Sequence, residues 1–237
     1  MKFSLCLLFM VSFLWVSCLP KTAKYYSKTG LNKAEGKDFE GAIAEYNKAI
    51  EKKPDNAELY KLRGVAKYEL KDFGGATQDI NRAIVLKDGD AEAYKYRGDI
   101  KTQLKDYKSA ITDYDKALQL NTEYANAYNN RGLCRTKLRD ITGAITDYNK
   151  ALMLKPDYAV AYQNRANAFF RTKAYQEALG DYNKAIQYNP DLAEAYYNRG
   201  VIHKALKNNN AACQDWEMAM KKGISSAETF IKRFCNK

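Results

Sequence analysis

An all-α protein, built as a linear stack of six helix pairs closed by one short final helix, is what this sequence predicts. Three observations carry the prediction. The 237-residue chain matches itself when displaced by 34 residues: AEAYKYRGDIKTQLKDYKSAITDYDKALQLNTEY, ANAYNNRGLCRTKLRDITGAITDYNKALMLKPDY and AVAYQNRANAFFRTKAYQEALGDYNKAIQYNPDL follow one another in register. A fixed period of this kind marks stacked units that each touch only their neighbours. Each unit also has a breaker at its middle, Lys37-Asp38, Lys71-Asp72, Lys105-Asp106 and Arg139-Asp140 in the first four. Finally, Pro54, Pro156 and Pro190 fall in the turns between units, where proline ends one helix without disturbing the next.

The N-terminal stretch is different in kind. Lys2 precedes a nearly unbroken apolar run over residues 3–19, followed by Pro20 and Lys21. Seventeen such residues fit a secretory signal better than a permanent span, which needs about 20. Residues 1–18 are therefore set apart as a signal segment, with 19–22 as a short linker. Trp15-Val16-Ser17-Cys18 resembles the lipobox of bacterial lipoproteins, in which the cysteine is lipidated and becomes the mature N-terminus. Trp15 departs from that pattern, which usually has Leu there. Two outcomes stay open: a lipid on Cys18, which gives an outer-membrane or periplasmic lipoprotein held to the membrane, or plain cleavage and secretion. Both place the chain outside the cytoplasm.

Six units then run over 23–56, 57–90, 91–124, 125–158, 159–192 and 193–226. In each, the first fourteen positions read as one helix, and a second helix runs from position seventeen to about thirty. The last unit changes character: Trp216 replaces the second-helix tyrosine and Gly223 the proline turn. A terminal unit needs a capping surface. Residues 227–237 supply it, with Phe230, Ile231 and Phe234 as the covering side chains.

Position four of the six units is Tyr26, Tyr60, Tyr94, Tyr128, Tyr162 and Tyr196. Position eight is Gly30, Gly64, Gly98, Gly132 and Gly200, with Ala166 in the fifth. Small residues recur in the second helix at Ala42, Ala76, Ala110, Ala144, Ala178 and Ala212, and again at Ala49, Ala83, Ala117, Ala151, Ala185 and Ala219. Small residues let helices approach closely, and the tyrosines fill the space left beyond them. In these positions the chain resembles the tetratricopeptide repeat family over residues 23 to about 226. The resemblance implies a right-handed α-solenoid in which the first helices of the units line a concave groove.

At position seven that family usually has Leu, but here stand Arg63, Arg97, Arg131, Arg165 and Arg199. The helical wheel turns this position inward, and an inward guanidinium needs a partner. An aspartate follows sixteen residues later each time: Asp79, Asp113, Asp147, Asp181 and Asp215. A repeating Arg–Asp bridge is expected, with Arg97–Asp113, Arg131–Asp147 and Arg165–Asp181 as structural pairs. The competing pattern joins each Asp to the cation three residues on, as in Asp79 with Arg82 or Asp113 with Lys116, an exposed contact of little value. The closing segment also looks like that of certain bacterial repeat proteins with a paired cysteine. That likeness implies a disulfide between Cys213 and Cys235, against two buried thiols as the other reading.

The formal net charge of +11 is dispersed among interspersed acids. A nucleic-acid surface would concentrate it in a stripe, so nucleic acid is not an expected partner. His203 is the one histidine, at an inward position, and with Cys213 and Cys235 it matches no zinc spacing. No phosphate loop, nucleophile elbow or paired-histidine helix motif is present. Neither catalysis, metal nor cofactor is indicated.

Binding is the remaining use. The wheel places positions two, five, six, nine, twelve and thirteen of the first helix on the groove side. In the second and third units this side is charged, with Glu58, Lys61, Glu69, Glu92, Lys95 and Asp99. In the fourth to sixth it turns to amides and apolar groups: Asn126, Asn129, Asn130 and Leu133; Val160, Gln163, Asn164, Asn167 and Phe170; Tyr197, Asn198 and Val201. Amides satisfy a peptide backbone while apolar neighbours pack its side chains. The carboxylate clamp of chaperone-binding family members is broken here, since its nearest equivalents, Lys95, Asp99, Asn130, Val160 and Asn164, include an acid and a valine. The expected role is a non-catalytic scaffold that holds a protein or peptide partner in an envelope assembly. The competing classes are a small-molecule or glycan binder using the same groove, and an accessory subunit of an envelope enzyme complex.

Overall fold

The computed structural model describes residues 21–235, and thirteen α-helices with no strand make up its regular structure. The signal segment with Cys18, and the start of the linker, lie outside the described residues. The chain divides into two compact units. The first, up to Gly89, holds α1 (Ala23–Glu35), α2 (Phe39–Lys52), α3 (Ala57–Glu69) and α4 (Phe73–Leu86). The second begins at Asp90 with α5 (Ala91–Gln103), α6 (Tyr107–Leu120), α7 (Ala125–Lys137), α8 (Ile141–Leu154), α9 (Ala159–Arg171) and α10 (Tyr175–Tyr188). It ends with α11 (Ala193–Ala205), α12 (Asn209–Lys221) and the cap α13 (Ala227–Phe234). None of the described helices is long and apolar enough to cross a membrane.

One short left-handed turn stops the first helix of every pair. At the end of α7 the N–H of Asp140 bonds the carbonyl of Arg135 at 2.9 Å, and that of Arg139 bonds Thr136 at 3.2 Å. This closure forces Arg139 into the left-handed region at φ 67°, which stops the helix. The next residue starts another: the Asp140 carboxylate accepts from the Gly143 N–H at 2.9 Å as the N-cap of α8. Lys37, Lys71, Lys105, Lys173 and Lys207 repeat the left-handed turn. A cation is well placed beside the carbonyl end of a helix.

Packing within a pair turns on the glycine at position eight. A Cβ on Gly132 would stand 2.8 Å from Cε1 of Tyr148, so glycine lets that fully buried ring lie close across α7, whereas the fifth pair seats the equally buried Tyr182 beside Ala166. Ala144 and Ala151, both wholly buried, keep α8 equally close. In the second unit α7, α9 and α11 each also pack on the second helix of the preceding pair, and α5, α7, α9 and α11 lie side by side. This row carries the groove positions.

The position-seven arginines reach further than one pair. Arg165 donates from Nε to Asp181 Oδ2 and from Nη2 to Oδ1, both at 2.7 Å, and from Nη1 to Asn149 Oδ1 at 2.6 Å. It thereby ties α9 to its own α10 and to α8 of the pair before. Arg131 makes the same span with Asp147 and Asp115, Arg199 with Asp215 and Asn183, and Arg63 with Asp79 and Asn47. The aspartates are buried and the guanidinium groups are partly exposed, each over the tyrosine at position four, as Arg165 over Tyr162 at 5.6 Å. Arg82 and Lys116 lie over the rings of Tyr60 and Tyr94.

The last pair is sealed by α13. Phe230 packs on the wholly buried Trp216 with ring centroids 5.0 Å apart, and a disulfide joins Cys213 to Cys235. Cys134 is a buried free thiol, pushed up in pKa by burial, and so has little thiolate character.

Candidate functional site

The row α7, α9, α11 encloses a depression of about 440 Å³. Five of the expected groove residues line it: Leu133, Asn164, Asn167, Phe170 and Asn198. Thr136, Lys137, Tyr148 and Arg171 complete it. Burial pushes the Tyr148 phenol above its ordinary pKa, so its hydroxyl stays neutral, and it exchanges a hydrogen bond with Thr136 at 3.1 Å.

The amides form an ordered chain. Asn164 donates to Asn129 at 3.0 Å, Asn129 to Asn130 at 3.0 Å, and Asn130 to Asp99 at 2.8 Å. A shorter version stands beside it, where Asn198 donates to Asn167 at 3.1 Å and Asn167 also accepts from the Tyr182 hydroxyl. The chain ends on Asp99, which is nearly buried and takes a further bond from Tyr114 at 2.7 Å and an ion pair from Lys95 at 2.9 Å. Burial lowers the Lys95 pKa, but Asp99 and Tyr96 more than reverse this and hold it above its ordinary value. Asn164 and Asn167 thus keep amide donors for a ligand, and Asn164 and Asn198 keep a carbonyl oxygen.

Five expected residues stand elsewhere. Asn129 and Asn130 sit behind the depression, and Asn129 is spent on its neighbours at both ends of its amide. Gln163 is nearly buried, its amide drawn to Glu194 at 3.0 Å. Tyr197 turns to the cap and meets Phe230 edge-on at 5.5 Å, which the wheel could not show because α13 lies outside the repeat. Asn126, at the start of α7, is exposed and outside the depression. Conversely, Thr136, Lys137 and Arg171 hold positions twelve and thirteen, the same register positions that lie on the groove side. That register was the signal for them.

Comparisons with known proteins agree with the repeat fold. A family model described as TPR repeat matches residues 30–71, 98–138 and 166–207, together more than half of the chain, and one described as Tetratricopeptide repeat matches 125–158. Among solved structures, MamA is 29% identical, with 70% of this chain and 96% of MamA covered at a TM-score of 0.61. YrrB, described as a TPR protein with an unusual peptide-binding site, is 22% identical over 79% of this chain and 97% of its own, with a TM-score of 0.64. PilW, described as a widely conserved type IV pilus biogenesis factor, is 21% identical over 88% and 98%, with a TM-score of 0.79. No curated protein matches the sequence.

Proposed function

The chain belongs to the tetratricopeptide repeat family, and we propose that it is a non-catalytic scaffold that holds an extended protein segment across α7, α9 and α11. Proteins of this family bind protein or peptide partners. The depression carries the reading for this chain: it sets amide donors and acceptors beside the apolar faces of Leu133 and Phe170. An extended segment exposes one N–H and one C=O per residue and side chains on alternating sides, and both demands are met there. The likenesses to YrrB and PilW carry the fold; the peptide reading rests on the depression itself.

We place this activity outside the cytoplasm, with residues 1–18 as a signal segment and Cys18 as the lipid attachment point, in an envelope assembly. The apolar run over residues 3–19 and the Cys213–Cys235 disulfide support that placement, since structural disulfides persist in oxidising compartments. Mass measurement of the mature N-terminus tests the lipid: an unmodified Cys18, or cleavage elsewhere, would remove it.

The groove is tested with peptides selected from a random displayed library against residues 21–237. Phe170→Ala is expected to weaken the selected peptides about tenfold, the order of a lost apolar anchor. Equal affinity for the variant would contradict the placement.

A further inference from the structure

From two cations on the rim of the depression, we infer that the segment it holds is acidic, with side-chain carboxylates about three residues apart. The inference rests on the peptide reading above and specifies its ligand. Lys137 closes α7 and Arg171 closes α9; both line the depression and both are exposed. Among the described residues neither forms an ion pair, whereas Lys67, Lys101 and Arg135, two positions earlier in their helices, are each committed to a buried aspartate. No carboxylate lines the depression. Two uncommitted cations over a floor without a counter-charge form a local positive field, and a partner of opposite sign answers it.

The negative pole at a helix C-terminus does not account for this pair. A cation in the last turn offsets the helix dipole wherever it stands, but position thirteen is Glu35 and Glu69 in the first two repeats and Gln103 in the third. The register tolerates either sign and turns basic where the amide-lined depression begins. An exposed cation over Leu133 and Phe170 also recognises a mixed ligand: a carboxylate at the rim, apolar side chains below it.

Spacing follows from the helix row. Adjacent packed helices stand about 8–10 Å apart, and an extended chain advances about 3.3 Å per residue. A segment crossing from α7 to α9 therefore moves by about three residues, so the two carboxylates belong at i and i+3 with apolar residues between or beside them. A side-chain carboxylate suits an open trough better than a chain terminus, because the segment continues past α9 to Asn198 on α11.

The test uses a random dodecapeptide library displayed without a free C-terminus, so that only side-chain carboxylates are offered, selected in parallel on the wild type, Phe170→Ala, Lys137→Gln/Arg171→Gln and Lys137→Glu/Arg171→Glu. Wild-type selection is expected to enrich Asp and Glu three residues apart beside an apolar residue. The neutral double variant should bind those peptides roughly tenfold more weakly, as rim charges allow, and the reversed one should select Lys and Arg. Phe170-dependent enrichment with no preference for acids would overturn the inference and leave the peptide reading standing. Acid enrichment that survives both double variants would also overturn it, by assigning the preference to the dispersed surface charge. No enrichment over Phe170→Ala would remove the peptide reading and this inference with it.

Discussion

Arg165 holds Asp181 through both carboxylate oxygens, each at 2.7 Å, and among the described residues no second cation reaches that aspartate. Asp147, in the repeat before, is bound by Arg131 and also by Arg135 at 2.8 Å. Position eleven makes the difference: it is Arg135 in one repeat and Phe169 in the next. Arg165→Leu therefore strands a nearly buried carboxylate, at a cost of about 3 kcal/mol. Arg131→Leu leaves Arg135 in place and should cost about half as much. Urea unfolding of the two variants checks the order, and a larger loss for Arg131→Leu would be inconsistent with it. The pair Arg165→Leu/Asp181→Leu should recover part of the loss.

His203 gives the fold a pH dependence of known sign. Burial pulls its pKa below the ordinary 6.5 and Arg199 adds to the effect, while Asp215, with its carboxylate 3.8 Å away, opposes it. A histidine depressed in the folded state takes up its proton more readily when unfolded. Its contribution is thus complete above pH 6.5 and declines as pH falls from there toward the lowered value. Because it is the single histidine, the subtraction is clean. The urea midpoint of the wild type should fall more between pH 7 and pH 5.5 than that of His203→Gln, and parallel curves would count against the assignment.

The disulfide closes a loop between positions 22 residues apart in sequence. Chain entropy for a loop of that size gives about 3 kcal/mol of stabilisation. Cys213→Ser/Cys235→Ser should lose that amount mainly as fraying of α13 and its aromatic contacts with Trp216. Amide exchange that rises over residues 223–235 and not over α7 or α9 is the expected pattern; uniform loosening would contradict a local clasp.

The fold was legible because its decisive contacts recur with the period. Gly132 and Tyr148 meet inside one repeat, and the same two positions repeat down the chain. The +16 spacing of Arg131 and Asp147 is likewise internal to a repeat, so the sequence carries it directly. The reach of Arg131 to Asp115 in the preceding repeat was not legible, because it depends on how successive pairs stack. At the site, the wheel identified the face but not what each amide was already doing. Gln163 was lost to Glu194 and Tyr197 to Phe230, contacts set by side-chain length and by a cap outside the period. Lys137 and Arg171 stand on the right register, but in sequence a last-turn cation that faces a ligand is no different from one that only offsets the helix dipole.

The claim that α7, α9 and α11 form the contact surface is tested most directly by light-activated cross-linking. A benzophenone amino acid replaces Phe170 in one variant and Met153, an exposed residue of α8, in another. Each variant is expressed in the native host at the natural level of the protein. Position 170 is expected to give a discrete cross-linked protein, diminished by Lys137→Gln/Arg171→Gln, and position 153 none. A cross-link confined to position 153 would contradict it.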